Sequence, residues 1–391
     1  LKNIKKYPKK IFIYNLKKKF SGADCYFYLK KTEKFIKSNK IKSIGIKAEN
    51  SFKWIILYLA ADKCCNRTFI IKNNTSSQII KKLKNKYKID FIGSKIPQKK
   101  TKILKVKKII KKMTREDILF TSGTTDFPKG VIIDKNSFIH VAKILIEKFE
   151  HNKSDLELLS MPFDHSFGLV RLRCCLYSGS QMLVTNGLMK FPDIYGFSKK
   201  FNITGLSLVP SGVELIKSLL KNKVTEFNKH IKYFEIGSSG LNKNTRVWLK
   251  QNFKKTNIIH HYGMTEASRS FLINRGNKDN LKLQNNIVGN VIEGCKYKIG
   301  NNLHNAKGEL LLKGKNLFLG YLETDENEKK FINNWFKTGD ICEKKGQNIK
   351  LIGRVDNQFN IGGNKVQAEF IENKIENISF VSKCLCFQVN D

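Results

Sequence analysis

The sequence predicts an α/β protein: a large N-terminal body of parallel-sheet βαβ layers followed by a small antiparallel β-barrel portion. Three observations support this. Short β-branched runs alternate with helix-length segments through most of the chain. After about Val288 the texture changes to short strand-like segments separated by Gly and Asn. A composition of 41% apolar and 27% charged residues supplies a substantial core and excludes wholesale disorder or a collagen-like repeat. The 391 residues leave room for roughly two to four compact units.

The first alternation lies between about residues 27 and 92, with strands expected at 43–46, 68–72 and 89–92 and helices at 54–62 and 77–86. Helix-sized connections between strands indicate parallel pairing. The alternation resumes with strands at 117–120, 181–185, 203–208, 233–236 and 257–259, and helices around 137–149, 212–220 and 242–251. In the β-rich portion, about 286–352, strands are expected at 295–299, 309–313 and 349–352. No internal repeat is visible, and six Pro leave no Pro-rich linker. The Lys-dense stretch 95–112 reads as a flexible, solvated loop.

Lys plus Arg number 73 against 33 Asp plus Glu, a formal net charge of +40 that would suit a polyanion. Nearly all of the positive charge is Lys spread along the chain, however, with Arg confined to places such as Arg67, Arg171, Arg173, Arg246, Arg269 and Arg354. Readers of bases and phosphates favour the Arg fork, so a solvated surface is expected rather than a specific nucleic-acid partner. Nine Cys at irregular spacing, including the neighbours Cys64-Cys65 and Cys174-Cys175, give neither a disulfide framework nor a paired CxxC metal site and point to a reducing compartment. The longest apolar window, 54–61, is far short of the roughly 20 residues that span a bilayer, and the N-terminus lacks the apolar core of a signal peptide. A cytoplasmic protein is expected. Residue 1 is Leu rather than Met, which suggests a chain that begins inside a longer product.

Four stretches carry chemistry. Thr121-Ser122-Gly123-Thr124-Thr125-Asp126-Phe127-Pro128-Lys129-Gly130 follows a strand-like run. Small hydroxyl residues and Gly permit a tight loop whose N–H and O–H groups surround phosphate oxygens, and Lys129 adds a point charge. The Walker pattern is absent. His260-His261-Tyr262-Gly263-Met264-Thr265-Glu266 follows another strand-like run, at the carboxyl edge where ligands gather. Tyr262 offers a face for a purine, Gly263 lets the backbone approach, and Glu266 with Thr265 offers hard oxygen ligands for Mg²⁺. In Trp335-Phe336-Lys337-Thr338-Gly339-Asp340 a carboxylate can accept two hydrogen bonds from a ribose diol, and in Gly353-Arg354-Val355-Asp356 an Arg can add donors to the sugar or a phosphate.

This ordered set resembles the adenylate-forming (AMP-dependent synthetase/ligase) superfamily and is most similar to its acyl-CoA synthetase branch, from roughly residue 40 to the end. Two further stretches agree: Pro162-Phe163-Asp164-His165-Ser166-Phe167-Gly168 resembles the acyl-pocket segment, and Gly308-Glu309-Leu310 through Gly320-Tyr321 the strand pair before the ribose site. The resemblance implies an N-terminal domain over 1–352, a hinge at 353–356 pivoting on Asp356, and at 357–391 the start of a small α+β C-terminal domain, truncated. It implies that Thr121, Ser122, Gly123, Thr124, Thr125 and Lys129 hold the ATP phosphates. Ser239, Gly240, His261, Tyr262 and Gly263 would line the adenine pocket, and Asp340 and Arg354 would grip the ribose. Thr265 and Glu266 would position Mg²⁺, and His165 would stand between the acyl group and the thiol entry.

The implied reaction is attack of a substrate carboxylate on the α-phosphorus of ATP, release of pyrophosphate, and transfer of the acyl group to a thiol of CoA or of a phosphopantetheine arm on an acyl-carrier protein. Three departures stand out. Asp126 puts a negative charge where the family usually has Gly, Asn360 replaces a common Lys, and only about 35 residues follow the hinge, short of the segment that normally carries the catalytic lysine. The Pro before and the Phe-Gly-Leu after Asp164-His165 favour a plain carboxylic acid, with an amino-acid-activating register, in which Asp164 would meet an ammonium, as the alternative. A catalytically silent nucleotide-binding relative is the rival from another class.

Overall fold

The computed structural model describes residues 2–94, 115–121, 127–275, 286–300, 306–346, 348–361, 364–376, 378, 380–381 and 384–387. The Lys-dense stretch 95–112 lies outside them, as do Ser122, Gly123, Thr124, Thr125 and Asp126. Two mixed sheets and one antiparallel sheet make the framework. In the six-stranded sheet, Glu116–Thr121, Arg67–Ile71, Ser43–Lys47 and Phe91–Gly93 run parallel. Lys129–Asp134 and Gly320–Tyr321 are added antiparallel at one edge. In the nine-stranded sheet, Asn257–Tyr262, Tyr233–Ile236, Gly205–Leu208, Leu156–Leu159 and Gln181–Val184 are consecutive parallel neighbours.

Two helices fill the space between the sheets, and their composition explains why. Phe52–Cys64 is capped by Ser51, whose side chain accepts from the Trp54 N–H, and carries apolar residues all round, so nearly every side chain from Phe52 to Ala61 is buried. Ser166–Ser178 is buried from Phe167 to Cys175 even though it carries two arginines. Each is paired into a different sheet: Arg171 with Glu157 of the nine-stranded sheet, Arg173 with Asp117 of the six-stranded one. The helix is thus pinned from both sides by charge-assisted bonds.

The expected strands appear within one or two residues, with two informative differences. The strand expected at 257–259 runs three residues further, as Asn257–Tyr262, so His260 and His261 belong to a strand and not to the turn. The β-rich portion is a five-stranded antiparallel sheet of Cys295–Ile299, Lys307–Gly314, Trp335–Lys345, Phe331–Ile332 and Asn348–Arg354. Two of its short strands leave it: Asn290–Val291 joins the nine-stranded sheet and Gly320–Tyr321 the six-stranded one. These exchanges tie the three sheets together. Beyond Arg354, a turn at Val355–Asn357 leads to the hairpin Gln358–Ile361 with Asn364–Gln367 and the helix Ala368–Glu376. Among the described residues, no helix is long and apolar enough to cross a membrane.

Candidate nucleotide and acyl site

Loops after three strands of the nine-stranded sheet emerge at its carboxyl edge, the usual place for a ligand in an α/β sheet. Leu156–Leu159 leads to the 160–165 loop with Asp164 and His165, Tyr233–Ile236 to exposed Ser238, Ser239 and Gly240, and Asn257–Tyr262 to the 263–266 turn. His165 is the residue before helix Ser166–Ser178, makes no capping bond, and has a side chain 53% exposed, so it faces solvent rather than core. Ser238 holds φ at 81°, and at Gly237 a Cβ would lie 2.1 Å from the His261 ring.

The 263–266 turn is closed by mutual bonds between Met264 and Ala267, N–H to O at 3.1 and 3.2 Å. A Cβ at Gly263 would sit 2.4 Å from the Arg269 nitrogen, so only Gly allows the closure. Glu266 Oε1 accepts from the Tyr321 hydroxyl at 2.9 Å, and its backbone O accepts from the Phe318 N–H at 2.8 Å. The same segment bonds to the other sheet, with Leu319 N–H on Ile132 O and Leu322 N–H on Gly130 O, both at 2.8 Å. Residues 317–322 therefore splice the turn bearing Thr265 and Glu266 to the hairpin in which Thr121 faces Lys129. Lys129 Nζ is paired with Glu326 at 2.7 Å. Among the described residues only Glu266 Oε1 of that carboxylate takes a bond, and a carboxylate beside a hydroxyl residue is the hard-oxygen donor set that Mg²⁺ accepts.

Tyr262 and Asp340 meet directly. The Tyr262 hydroxyl donates to Asp340 Oδ2 at 2.5 Å, and Arg354 Nη1 donates to Asp340 Oδ1 at 2.7 Å. Burial, reinforced by the Asp340 charge, pushes the Tyr262 phenol well above its ordinary pKa, so it remains a donor. Arg354 also reaches Asp356 through Nη2 at 3.3 Å. Gly339 holds φ at 77°, and a Cβ there would be 2.9 Å from Arg354 Nη2. Tyr262 and Arg354 thus hold the Asp340 carboxylate by both oxygens, and a carboxylate is the acceptor type that a ribose diol requires.

His261 lies on the strand face opposite to Tyr262. Along a strand alternate residues face opposite sides, so His261 points away from Tyr262 into the core. There its Nδ1 lies 2.8 Å from Glu235 Oε1 and its ring packs edge-on against Phe167. Burial and the Arg269 charge lower its pKa. Glu235 also takes Arg269 Nε at 3.0 Å and lies 3.4 Å from Arg171 Nη1. Arg269 in turn donates to Ser166 O and Phe167 O at 3.0 Å each, and Arg171 grips both oxygens of Glu157. This ladder fixes the end of the helix that presents His165. The sequence offered one usable signal for it: in a Lys-rich chain, five of the eight arginines, Arg171, Arg173, Arg246, Arg269 and Arg275, are buried. His151, Glu157 and Cys175 form a metal-capable group in the same core. Arg171 already occupies both Glu157 oxygens, setting a cation where a metal would bind.

The family model described as AMP-binding enzyme matches residues 65–322. The chain belongs to the AMP-binding enzyme family. It is 28% identical over 359 residues to 2-succinylbenzoate–CoA ligase of Haemophilus influenzae, covering 88% of this chain and 72% of that protein. It is 27% identical over 285 residues to bacitracin synthase 2 of Bacillus licheniformis, 67% of this chain and 11% of that protein. With 4-coumarate–CoA ligase-like 9 of Arabidopsis thaliana it shares 28% over 238 residues, 58% of this chain and 41% of that protein. The chain thus spans well under two thirds of the length of some of these relatives. In fold it is similar to o-succinylbenzoate CoA synthetase from Bacillus subtilis in complex with an acyl-adenylate intermediate, with a TM-score of 0.83 at 17% identity over 100% of this chain and 84% of that one. A similar match, TM-score 0.79 at 17% identity over 96% and 82% of the two chains, is to ATP-bound MatB from Rhodopseudomonas palustris.

Proposed function

We propose that this AMP-binding enzyme activates an organic carboxylic acid as an acyl-adenylate and passes the acyl group to a thiol, that of CoA or of a carrier-borne phosphopantetheine. The observation that carries the reading is convergence. Tyr262 and Asp340 are hydrogen-bonded to each other, and Glu266 is spliced through Tyr321 to the hairpin that holds Thr121 and Lys129. A molecule with a base, a sugar and a phosphate tail matches that order of groups.

In this reading the Tyr262 ring stacks on adenine, beside Gly263 and the Ser239-Gly240 loop, and Asp340 with Arg354 binds the ribose. Thr121, residues 122–125 and Lys129, once released from Glu326, hold the phosphates. A carboxylate oxygen attacks the α-phosphorus, the bond to the bridging oxygen of pyrophosphate breaks, and acyl-AMP forms; the thiol sulfur then attacks the acyl carbon and AMP leaves. Two anions must approach each other, so aligned cations and donors matter more than a general base. Mg²⁺, held by Glu266 and Thr265, would spread the charge developing on the phosphates. His165, exposed at the acyl-side loop, stands where acid and thiol meet, and the 353–356 segment around Asp356 acts as the hinge between half-reactions.

ATP–pyrophosphate exchange over a panel of fatty, aryl and amino acids tests this. Exchange with a fatty or aryl acid supports the reading. An amino acid as the best substrate, lost in Asp164→Ala, would move the enzyme to the amino-acid-activating class of its peptide-synthetase relatives. Nucleotide binding without exchange for any acid, even with a lysine-bearing C-terminal segment joined to the chain, would favour a silent relative.

A further inference from the structure

Asn50 lies outside every motif in the sequence, yet the loop that carries Asp164 and His165 is built around it. It sits between strand Ser43–Lys47 and helix Phe52–Cys64 and is 7% exposed. Its side-chain amide donates to Met161 O at 2.8 Å and to Leu159 O at 3.4 Å, while its Oδ1 accepts from the Phe163 N–H at 3.1 Å. Its own N–H donates to Asn186 Oδ1 at 2.9 Å, in the loop after Gln181–Val184. One residue of the six-stranded sheet's carboxyl edge thus satisfies backbone groups at both ends of a loop of the nine-stranded sheet. Packing works in the same direction. Phe163 is fully buried, its ring 5.0 Å from that of Trp54, and a Cβ at Gly168 would fall 2.3 Å from Pro162 O. The loop that carries Asp164 and His165 is therefore held by Asn50, by Trp54 and by the start of the helix at Gly168.

We propose that Asn50 is a positioning residue for the acid side of the site: it fixes the 159–163 backbone and through it the placement of Asp164 and His165 against the bound carboxylic acid. This rests on the acid-activating reading. An Asn is suited to the task because only a side-chain amide offers a donor to two carbonyls and an acceptor to an N–H in one rigid plane. Leu, His or a shorter polar residue leaves buried backbone groups without partners. The nucleotide side, anchored through residues 317–322, does not depend on it.

The test uses Asn50→Ala and the milder Asn50→Asp. Hydrogen exchange of the free protein comes first, because it needs no activity. Asn50→Ala is expected to raise exchange of the 160–166 amides about tenfold or more while both sheets keep their protection. In exchange assays the KM for the acid rises about tenfold or more, with the KM for ATP held within about twofold. Asn50→Asp adds a pH signature: ionised, it opposes the Met161 carbonyl, and protonated, it can donate to it, so the acid defect shrinks as pH falls from about 8 to about 6. Unchanged protection at 160–166, protection lost equally everywhere, or KM values for acid and ATP that rise together would each overturn the proposal. A wild-type chain that binds ATP without exchange, even with a lysine-bearing C-terminal segment joined to it, counts against the acid-activating reading and against this use of the loop. Altered hydrogen exchange would then show a local clamp alone.

Discussion

Replacing Tyr262 by Phe removes a single hydroxyl and separates two roles the site assigns to one side chain. The hydroxyl donates to Asp340 at 2.5 Å, and the ring packs edge-on against Phe271 at 5.9 Å and, in the proposed function, stacks on adenine. A hydrogen bond to a charged acceptor contributes about 1.5–3 kcal/mol. Asp340 retains Arg354 Nη1 at 2.7 Å, so its charge stays partnered. The loss in folding stability therefore lies at the lower end, about 1.5–2 kcal/mol, read from urea unfolding. Nucleotide affinity should respond differently. Tyr262→Phe keeps the stacking face, and AMP affinity by calorimetry should change by no more than about threefold, whereas Tyr262→Ala should lose about 1–3 kcal/mol, roughly 5- to 150-fold. Equal losses in the two variants would transfer the role from ring to hydroxyl. No loss in either would remove Tyr262 from the nucleotide site.

Other perturbations read other parts of the account. Arg269→Met leaves Glu235 less compensated and the Ser166 and Phe167 carbonyls without their donor, and should cost about 3–5 kcal/mol in urea unfolding; a loss under about 1 kcal/mol would contradict the ladder. Glu326→Gln releases Lys129 from a pair that is only three-quarters buried, so stability should move by less than about 1 kcal/mol while ATP binds a few-fold tighter by calorimetry. Weaker ATP binding would mean that Glu326 orients Lys129 instead of competing with phosphate. Acid sensitivity has a defined sign. Burial, with Arg275 and His261 nearby, lowers the His260 pKa to about 3, and burial also lowers that of His151. From about 6.5 down to the lowered folded-state pKa of each His, the unfolded chain binds more protons than the folded one, so stability falls as pH falls, by about 1.4 kcal/mol per unit for each His. The carboxyls of Glu157 and Glu235, held low by Arg171 and by Arg269 with His261 against the opposing effect of burial, add to the loss below about 4.5. Unfolding free energies from pH 7 to 4 that stay flat would show these histidines to be solvated.

What could be read from the sequence was local. The Gly263 turn and the Thr338-Gly339-Asp340 corner each carry their geometry within a few residues, and short β-branched runs located the strands beside them, whereas most of the hydroxyl-rich 121–125 stretch lies outside the described residues. What was missed depends on residues distant in the chain. Arg171 and Arg173 make the helix Ser166–Ser178 look half-wet in sequence, and only the strands bearing Glu157, Glu235 and Asp117 explain their burial. Asn50 has no signature, because its partners are the backbone groups of a loop more than a hundred positions away. His261 was read into a turn for a simpler reason. Ending the strand at residue 259 made His260 to Glu266 one turn, while a strand that continues to Tyr262 sends alternate side chains to opposite faces.

The most direct test is a crystal structure of the chain with ATP and Mg²⁺. The account predicts one nucleotide with its adenine on the Tyr262 ring, its ribose hydroxyls on Asp340 and its β- and γ-phosphates at Lys129, the ion between them and Glu266. A nucleotide that reaches only one of these four residues, or that binds elsewhere on the molecule, would contradict it.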